Sequence, residues 1–396
     1  MKSLTLDIST SRWLACRLLK PVRRSICWSS LSNLRFTQKR LPDLPGPDWV
    51  RCKTLFGGIC GTDINTLLLR QPPDSILRGY VSLPMYLGHE NVARIETAGA
   101  QLDPSCVGTR VCVEPELNLA HVKLPESVSY KLGNTTAENW LSLGYNNWTG
   151  GSWSEYFVAH RSQLHPVPEN VPNEQAILVD PLACAARAIL HRPPGNQGRV
   201  LIWGGGIIGL GVLVVLRAMG CSAEITCVVR HAHQHRLAQR FGADHIVLAN
   251  HRDLYTQMAK LTGATIVRGM MGARTLAGGF DIVYDCVGSR HTLRGALDFT
   301  RRRGTVVVLG TSHARNVSWT PIWFSELNVI GSYGRLHQKN GSLCSTYKDV
   351  LEWMENKKLP VIELLTHTFS LDDYDKAFSM LMDKGGHAIV KAAFKF

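Results

Sequence analysis

Hydrophobic and polar residues alternate along the first part of the chain in the manner of β-strands. The alternation extends over residues 50–56, 87–99 and 107–115, and each stretch is bounded by glycine or proline. The first follows a proline-rich turn at 41–49 and ends at Gly57 and Gly58, where the backbone has to bend closely. This pattern predicts a region rich in β-structure.

The pattern changes from about residue 175, where buried strands are followed by helices. A helix is predicted over 173–190, and the strand Val200–Trp203 continues into an apolar helix that ends near Met219. Similar strands are predicted at 224–230, 280–289, 304–312 and 326–334. Alternating strands and helices are typical of a parallel α/β sheet. A helix over 345–356 and a strand at the end of the sequence complete the prediction.

Composition indicates a globular protein. The 396 residues, 45% hydrophobic and 19% charged, are enough for two domains. The longest apolar run, Ile207–Leu216, is too short to cross a bilayer, so no membrane association is expected. Basic residues give a net charge of +13 but are scattered, and no nucleic-acid-binding motif accompanies them. We therefore expect an acidic substrate or a phosphorylated cofactor instead of nucleic acid.

Two observations concern the cellular compartment. Eleven cysteines without a close-spaced framework predict a reducing, cytoplasmic location. Residues 1–25 contain Arg, Ser and Leu and could mimic an organellar transit peptide. Asp7 and the strand-like start MKSLTLDI favour a folded strand, followed by a basic insert of no legible function.

A candidate metal site is formed by the segment 57–66 together with His89 and Glu90. Cys60 offers a thiolate, His89 an imidazole and Glu90 a carboxylate, and Thr62 adds a hydroxyl that can move a proton. These groups suit a catalytic zinc that handles an alcohol. Asp180, far downstream, is a further candidate ligand.

A dinucleotide-binding loop is predicted where the strand Val200–Trp203 meets its helix. Glycines in a G-x-G-x-x-G pattern allow the backbone to approach a pyrophosphate at the helix N-terminus. Later strands end near the expected nicotinamide position. The predicted cofactor-binding residues of these segments are Gly204, Gly206, Ile207, Ile208, Gly209, Val287, Gly288 and Gly310.

The end of the second strand bears on the choice of cofactor. NAD enzymes place an acidic residue there, but this chain has none between Ile225 and Gln234. Arg230, His231 and Arg236 instead suit a 2′-phosphate, so NADP(H) is favoured, while NAD(H) is possible and Arg230 could simply cap the strand. The imidazoles at 231, 233 and 235 are expected to be solvated.

Taken together, the motifs G-I-C-G-T-D, G-H-E, D-P-L-A, G-G-G-I-I-G and D-C-V-G resemble the zinc-dependent medium-chain dehydrogenase/reductase superfamily, most closely its polyol and threonine dehydrogenase branch. The resemblance extends from about Leu41 to the C-terminus. It implies a doubly wound Rossmann sheet (175–326) inserted in a β-rich, GroES-like catalytic domain (1–174 and 327–396). It also implies a homo-oligomer, either a dimer or a tetramer.

The resemblance implies Cys60, His89 and a downstream acidic residue, here Asp180, as ligands of one catalytic zinc, with Glu90 ligating directly or transiently. Thr62 matches the relay hydroxyl, and hydride would pass between NADP(H) and an alcohol or carbonyl substrate such as a secondary alcohol, polyol or amino alcohol. The chain departs from the family at Asp180, where relatives have Glu, and at Asn65, where many have His.

A further departure is that residues 116–143 contain no cysteine, so no structural zinc is expected. Two other functions remain possible on the same fold. One is a zinc-free, NADPH-dependent enone or quinone reductase, and the other is a nucleotide-binding protein without enzymatic activity. Intact Cys60, Thr62 and His89 argue against both.

Overall fold

The computed structural model describes residues 1–71, 75, 81–118, 140–249, 253–310, 314, 316–339 and 342–396. The chain forms two compact units. The first contains residues 1–180 and 362–396, and the second contains residues 181–361. In the described ranges, no helix combines the length and the apolar character that crossing a membrane requires.

The first unit is built mainly from antiparallel strands. These are β1 (Lys2–Leu6), β2 (Leu34–Gln38), β3 (Trp49–Ile59), β4 (Met85–Tyr86), β5 (Asn91–Ala98), β6 (Arg110–Val113), β7 (Glu116–Asn118), β8 (Trp140–Ser142), β9 (Tyr156–His160), β10 (Leu164–Pro166), β21 (Leu365–Phe369) and β22 (Lys391–Lys395). Its helices are α1 (Thr10–Leu19), α2 (Gly61–Leu67), α3 (Asn173–Ala176) and α11 (Tyr374–Leu381).

A seven-stranded sheet carries the functional residues of this unit. Its strand order is β10-β6-β5-β3-β22-β21, and β9 also pairs with β3. The long strand β3 thus lies between β5 and β22, with Gly57 opposite Asn91 on one side and Phe394 on the other. Gly58 faces the side chain of Glu90 so closely that a Cβ would overlap it. The glycines that end this strand therefore make room for a buried carboxylate.

The N-terminal segment forms structure that the sequence pattern shows only in part. The predicted strand is present as β1, which pairs with β2 and β4 in a three-stranded sheet. The basic insert contains the helix α1 and a helical turn at Arg24–Trp28. Cys16, Cys27 and Trp28 pack into the same core as Leu67 at the end of α2. The insert thus shares a core with α2, the helix that begins directly after Cys60.

The second unit contains a six-stranded parallel sheet with the order β13-β12-β11-β16-β17-β18. Its strands and hairpins are β11 (Arg199–Trp203), β12 (Glu224–Val229), β13 (His245–Leu248), β14 (Thr265–Arg268), β15 (Arg274–Ala277), β16 (Phe280–Asp285), β17 (Thr300–Val308), β18 (Asn328–Gly331), β19 (Leu336–Lys339) and β20 (Ser342–Ser345). The helices are α4 (Val179–His191, shared with the first unit), α5 (Ile207–Ala218), α6 (Ala232–Arg240), α7 (Leu254–Thr262), α8 (Arg290–Phe299), α9 (Thr320–Phe324) and α10 (Thr346–Glu355).

The strand order confirms the predicted doubly wound fold. Strand β11 is central, and the order reverses between β11 and β16. In open α/β sheets of this kind, ligands bind at the carboxyl ends of the strands beside that reversal. In β11 itself, Val200, Leu201 and Ile202 are fully buried, as the near-continuous apolar run of this strand indicates. The predicted strands at 280–289, 304–312 and 326–334 correspond to β16, β17 and β18.

Candidate active site

Three candidate metal ligands come together in the first unit. The ligand atoms of Cys60, His89 and Glu90 all lie within 4.8 Å of one another, and we call these residues the ligand group. Cys60 is half-buried, whereas His89 and Glu90 are buried. The group combines one soft thiolate with an imidazole and a carboxylate, a donor set that zinc binds in catalytic sites.

Cys60 is positioned by the transition from β3 to α2. It is the residue that precedes the helix, and its amide donates a hydrogen bond of 2.9 Å to Asp63 Oδ2. This turn brings Thr62 Oγ1 to 3.6 Å from Cys60 Sγ. A hydroxyl next to the thiolate can accept or donate a proton at the site. Thr62 is therefore close to the ligand group, as the sequence predicts.

Asp63 is a site residue that the sequence analysis missed. Its Oδ1 lies 3.3 Å from His89 Nδ1, and both atoms are buried without a well-aligned hydrogen bond in the described residues. Burial acts to lower the pKa of His89, but the negative charges of Asp63 and Cys60 raise it well above its ordinary value. A carboxylate three residues after a helix N-cap is a capping signal, and this signal could have drawn attention to Asp63.

Lys391 is the second missed residue. It forms a buried ion pair with Glu90, and its Nζ also donates a hydrogen bond of 3.2 Å to the carbonyl oxygen of Ile59. Only 2% of Lys391 and 1% of Glu90 is exposed. Burial acts to lower the pKa of Lys391, but the Glu90 carboxylate raises it. Glu90 therefore already has a cationic partner within the protein.

Asp180 is placed beside the ligand group and is not among its three members. It is buried in the first turn of α4. Its charge helps to raise the pKa of Glu90, although burial is the larger cause. It also raises the pKa of Lys391, after the effects of burial and of Glu90 and Cys60. Asp180 thus contributes negative potential, and its direct ligation of zinc remains a prediction.

The ligand group fits a zinc ion on observations of this structure. It has three donors of the right chemistry close together, two of them buried, and Asp63 lies behind the imidazole as carboxylates do in zinc sites. His89 Nδ1 faces Asp63 and has no other partner in the described chain. This is the usual orientation of a histidine whose other ring nitrogen binds a metal ion. Cys60 and His89 would hold the ion together with an acidic residue, either Glu90 or the neighbouring Asp180.

The predicted glycine-rich loop is present in the second unit. Gly204 has a φ of +119°, and a Cβ there would meet Val287 at 2.6 Å. A Cβ at Gly209 would overlap the carbonyl oxygen of Gly204. Gly206 precedes α5 and faces open space, and within the described ranges no side-chain hydrogen bond caps the first turn at Ile207 and Ile208. Free amides at a helix N-terminus form an anion site for a pyrophosphate.

The ends of β16 and β17 lie against each other. Asp285 Oδ1 accepts hydrogen bonds from the amides of Val287 (3.1 Å) and Gly288 (2.9 Å). Gly288 has a φ of +72°, and its backbone contacts that of Gly310 so closely that neither position can carry a Cβ. Asp285 was not singled out in the sequence analysis. Burial raises its pKa, and its role is to fix the turn that carries the predicted cofactor residues.

The structure also describes the predicted 2′-phosphate residues. Arg230 follows β12 directly and is exposed, as is Arg236 on α6. Gln234 Oε1 accepts hydrogen bonds from the amides of Arg230 (3.0 Å) and His231 (3.2 Å), which holds this turn. The expectation that all three imidazoles are solvated is wrong for His233, which is buried and stacks on His231 at 5.5 Å. Burial and its basic neighbours lower the pKa of His233.

The proposed absence of a structural zinc concerns residues 116–143, of which 119–139 lie outside the described residues.

Asn65, which stands in place of a relay histidine, is described. Its Oδ1 accepts a hydrogen bond of 3.2 Å from Arg70 Nη1. An amide does not titrate, so this position cannot exchange a proton with solvent as an imidazole does.

Comparisons with known proteins agree with this geometry. Residues 46–169 match the alcohol dehydrogenase GroES-like domain, and residues 208–356 match the zinc-binding dehydrogenase domain. The chain is 29% identical to L-idonate 5-dehydrogenase of Vitis vinifera over 91% of each protein. It is 26% identical to sorbitol dehydrogenase of Arabidopsis thaliana, over 92% of this chain and 93% of that protein.

Among solved structures, an Escherichia coli alcohol dehydrogenase in complex with NADH shares the fold. Its TM-score is 0.74 at 23% identity, and the alignment covers all of this chain and 99% of the other. The two family matches and the long alignments account for most of the sequence. The chain belongs to the zinc-dependent medium-chain dehydrogenase/reductase superfamily, in its alcohol and polyol dehydrogenase branch, and is an oxidoreductase.

Proposed function

We propose that this chain transfers hydride between NADP(H) and a secondary alcohol or polyol, with one catalytic zinc held by Cys60, His89 and an acidic residue. The observation that carries the proposal is the convergence of Cys60, His89 and Glu90 within 4.8 Å. When bound, zinc supplies a Lewis acid that polarises the reacting oxygen, and the nicotinamide exchanges the hydride.

The protein's own residues bind the zinc, orient its histidine ligand and move the proton of the substrate. Cys60 and His89 are the primary ligands in this proposal, and Asp63 keeps the imidazole oriented through Nδ1. Glu90 is engaged by Lys391, and Asp180 is the second acidic residue beside the ligand group, so we propose that Asp180 binds zinc directly or through a water. Thr62 Oγ1 takes up or releases the proton of the reacting hydroxyl, next to Cys60 Sγ.

Several features support NADP(H) over NAD(H). Arg230 is exposed at the end of β12, and Arg236 follows on α6. No carboxylate lies between Ile225 and Gln234 to accept hydrogen bonds from a ribose 2′-hydroxyl. A guanidinium in this position can bind a 2′-phosphate in a bidentate manner. The preference is therefore electrostatic in origin.

The substrate class rests on the relatives, which are named as L-idonate and sorbitol dehydrogenases. Both names denote polyhydroxylated substrates with a secondary alcohol. An amino alcohol is a further member of the proposed class, because other relatives are named L-threonine 3-dehydrogenase. We propose no nucleic-acid partner.

We also propose a homo-oligomer in a reducing compartment such as the cytoplasm. Among the strands that the structure describes, β18 pairs on one side only, with β17, so its other edge is available for pairing. Trp319, Trp323 and Phe324 expose 59%, 71% and 67% of their surfaces close to it in sequence, which favours burial against a second copy. The eleven cysteines all lie in the described ranges and form no disulfide bond with one another, which supports a compartment where thiols stay reduced.

Metal analysis combined with a single substitution tests the proposal. The wild-type chain is expected to contain about one zinc ion and to oxidise polyols or reduce their ketones. Cys60→Ser should lose both zinc and turnover and keep cofactor affinity, since the glycine-rich loop is not part of the ligand group. Turnover by a metal-free Cys60→Ser protein would refute the mechanism and favour a zinc-free enone reductase, and binding of nucleotide without any turnover would favour a binding protein.

A further inference from the structure

An aromatic ring packs against one member of the ligand group, His89. The ring centroids of Tyr145 and His89 are 5.3 Å apart, and their planes are inclined by 34°. Tyr145 is half-buried and packs at the border of the core that contains Leu67 and Leu87. The two rings are tilted relative to each other, and Asp63 approaches the imidazole separately, at Nδ1.

The loop that carries Tyr145 is fixed by its neighbour Asn146. The Asn146 Nδ2 donates to Ser142 O (2.7 Å) and to Thr149 Oγ1 (2.8 Å). Its Oδ1 accepts hydrogen bonds of 2.8 Å from the amides of Trp148 and Thr149. Because this buried amide uses both of its donors and its acceptor twice, the loop has one well-defined conformation.

The same loop is tied to the segment that leads into His89. The amide of Ser82 donates to Tyr145 O (3.2 Å), and the amide of Tyr86 donates to Asn146 O (3.0 Å). Gly144 lies so close to the Gly88 carbonyl that a Cβ would overlap it. Tyr145 and His89 are therefore held in one hydrogen-bonded framework, and their ring contact follows from the backbone.

We propose that Tyr145 is a positioning residue for His89. An imidazole that binds a metal through one nitrogen needs its other nitrogen held and its ring plane fixed. Asp63 holds Nδ1 of His89, and the Tyr145 ring restricts the tilt of the imidazole plane, so that the remaining nitrogen points toward Cys60 and Glu90. This inference rests on the proposed zinc site. In it, Tyr145 acts through the packing of its ring against His89, and its hydroxyl has no part.

The role predicts a specific order among substitutions. Removal of the ring in Tyr145→Ala or Tyr145→Leu should weaken zinc binding about tenfold or more, in the range found for groups that orient metal ligands. Tyr145→Phe keeps the ring and should remain within about threefold of wild type, since the proposal needs no hydroxyl. Tyr374→Ala is the matched control, because Tyr374 packs at the same core but contacts Phe36 and Phe378 instead of His89.

The measurement is zinc affinity by competition with a chromophoric chelator, with the visible spectrum of the cobalt-substituted protein as a readout that does not depend on turnover. Alanine and leucine variants should both show weaker binding and an altered cobalt spectrum, and the leucine variant retains apolar volume if the alanine variant unfolds. Wild-type affinity and an unchanged spectrum in Tyr145→Leu would overturn the role of Tyr145 alone. A wild-type chain that binds neither metal would overturn the proposed function as well.

Discussion

The buried ion pair between Glu90 and Lys391 offers the sharpest test of how this site is held together. Lys391→Met keeps the length of the side chain but removes its charge. It leaves Glu90, of which 1% is exposed, without its cation, and it leaves the Ile59 carbonyl without its lysine donor. Removal of one partner of a buried pair costs about 3–5 kcal/mol, several times the value of an exposed pair.

Denaturant unfolding of the metal-free protein measures this cost, with Glu90→Gln and the double variant completing a thermodynamic cycle. The double variant should recover much of the stability lost in Lys391→Met, because no unpaired charge then remains buried. Lys395→Met is the control, since Lys395 lies on the same strand but is exposed and 3.5 Å from Glu174. A loss below about 1 kcal/mol in Lys391→Met would show that the pair is solvated, and the reasoning would fail.

Two further predictions concern the second unit. Arg230→Asp should move the ratio of NADPH to NADH affinity toward NADH by at least about tenfold, measured by fluorescence titration, and an unchanged ratio would make Arg230 a strand cap only. Asp281 accepts hydrogen bonds from the Arg199 amide and from Arg301, and these interactions lower its pKa although burial opposes them. Its contribution to stability is therefore complete above the unfolded pKa of about 4 and is lost as the pH falls through the lower folded value. Asp281→Asn should flatten the acid limb of a melting-temperature profile, and an identical slope would contradict the assignment.

The local parts of the fold and site could be predicted because their signals are local. The transition from strand to glycine loop to apolar helix at Trp203–Ala218 is contained in a short stretch, and β11 and α5 confirm it. Cys60 and Thr62 share one turn, and His89 and Glu90 are adjacent residues. The family resemblance supplied the one step that local patterns do not contain, namely that these two segments meet.

The missed residues share a different physical origin. Lys391 reaches Glu90 because β22 pairs with β3, a register that brings together residues 301 positions apart. Tyr145 reaches His89 because two loops exchange backbone hydrogen bonds, and neither loop has a periodic pattern. Pairing of distant strands depends on tertiary packing that no window of sequence shows. The helix α1 was missed because its charged and apolar residues do not follow a clear helical periodicity along the insert.

The position of β22 also sets an order of events during synthesis. Cys60, His89 and Glu90 leave the ribosome early, whereas Lys391 and the strand that covers Ile59 are translated roughly three hundred residues later. Until then the Glu90 carboxylate lacks its lysine partner, and β3 has an unpaired edge beside it. We therefore expect the Glu90 carboxylate of a nascent chain to stay in contact with water or a metal ion. Burial of the ligand group, which follows when β22 pairs with β3, is then one of the last steps in the folding of the first unit.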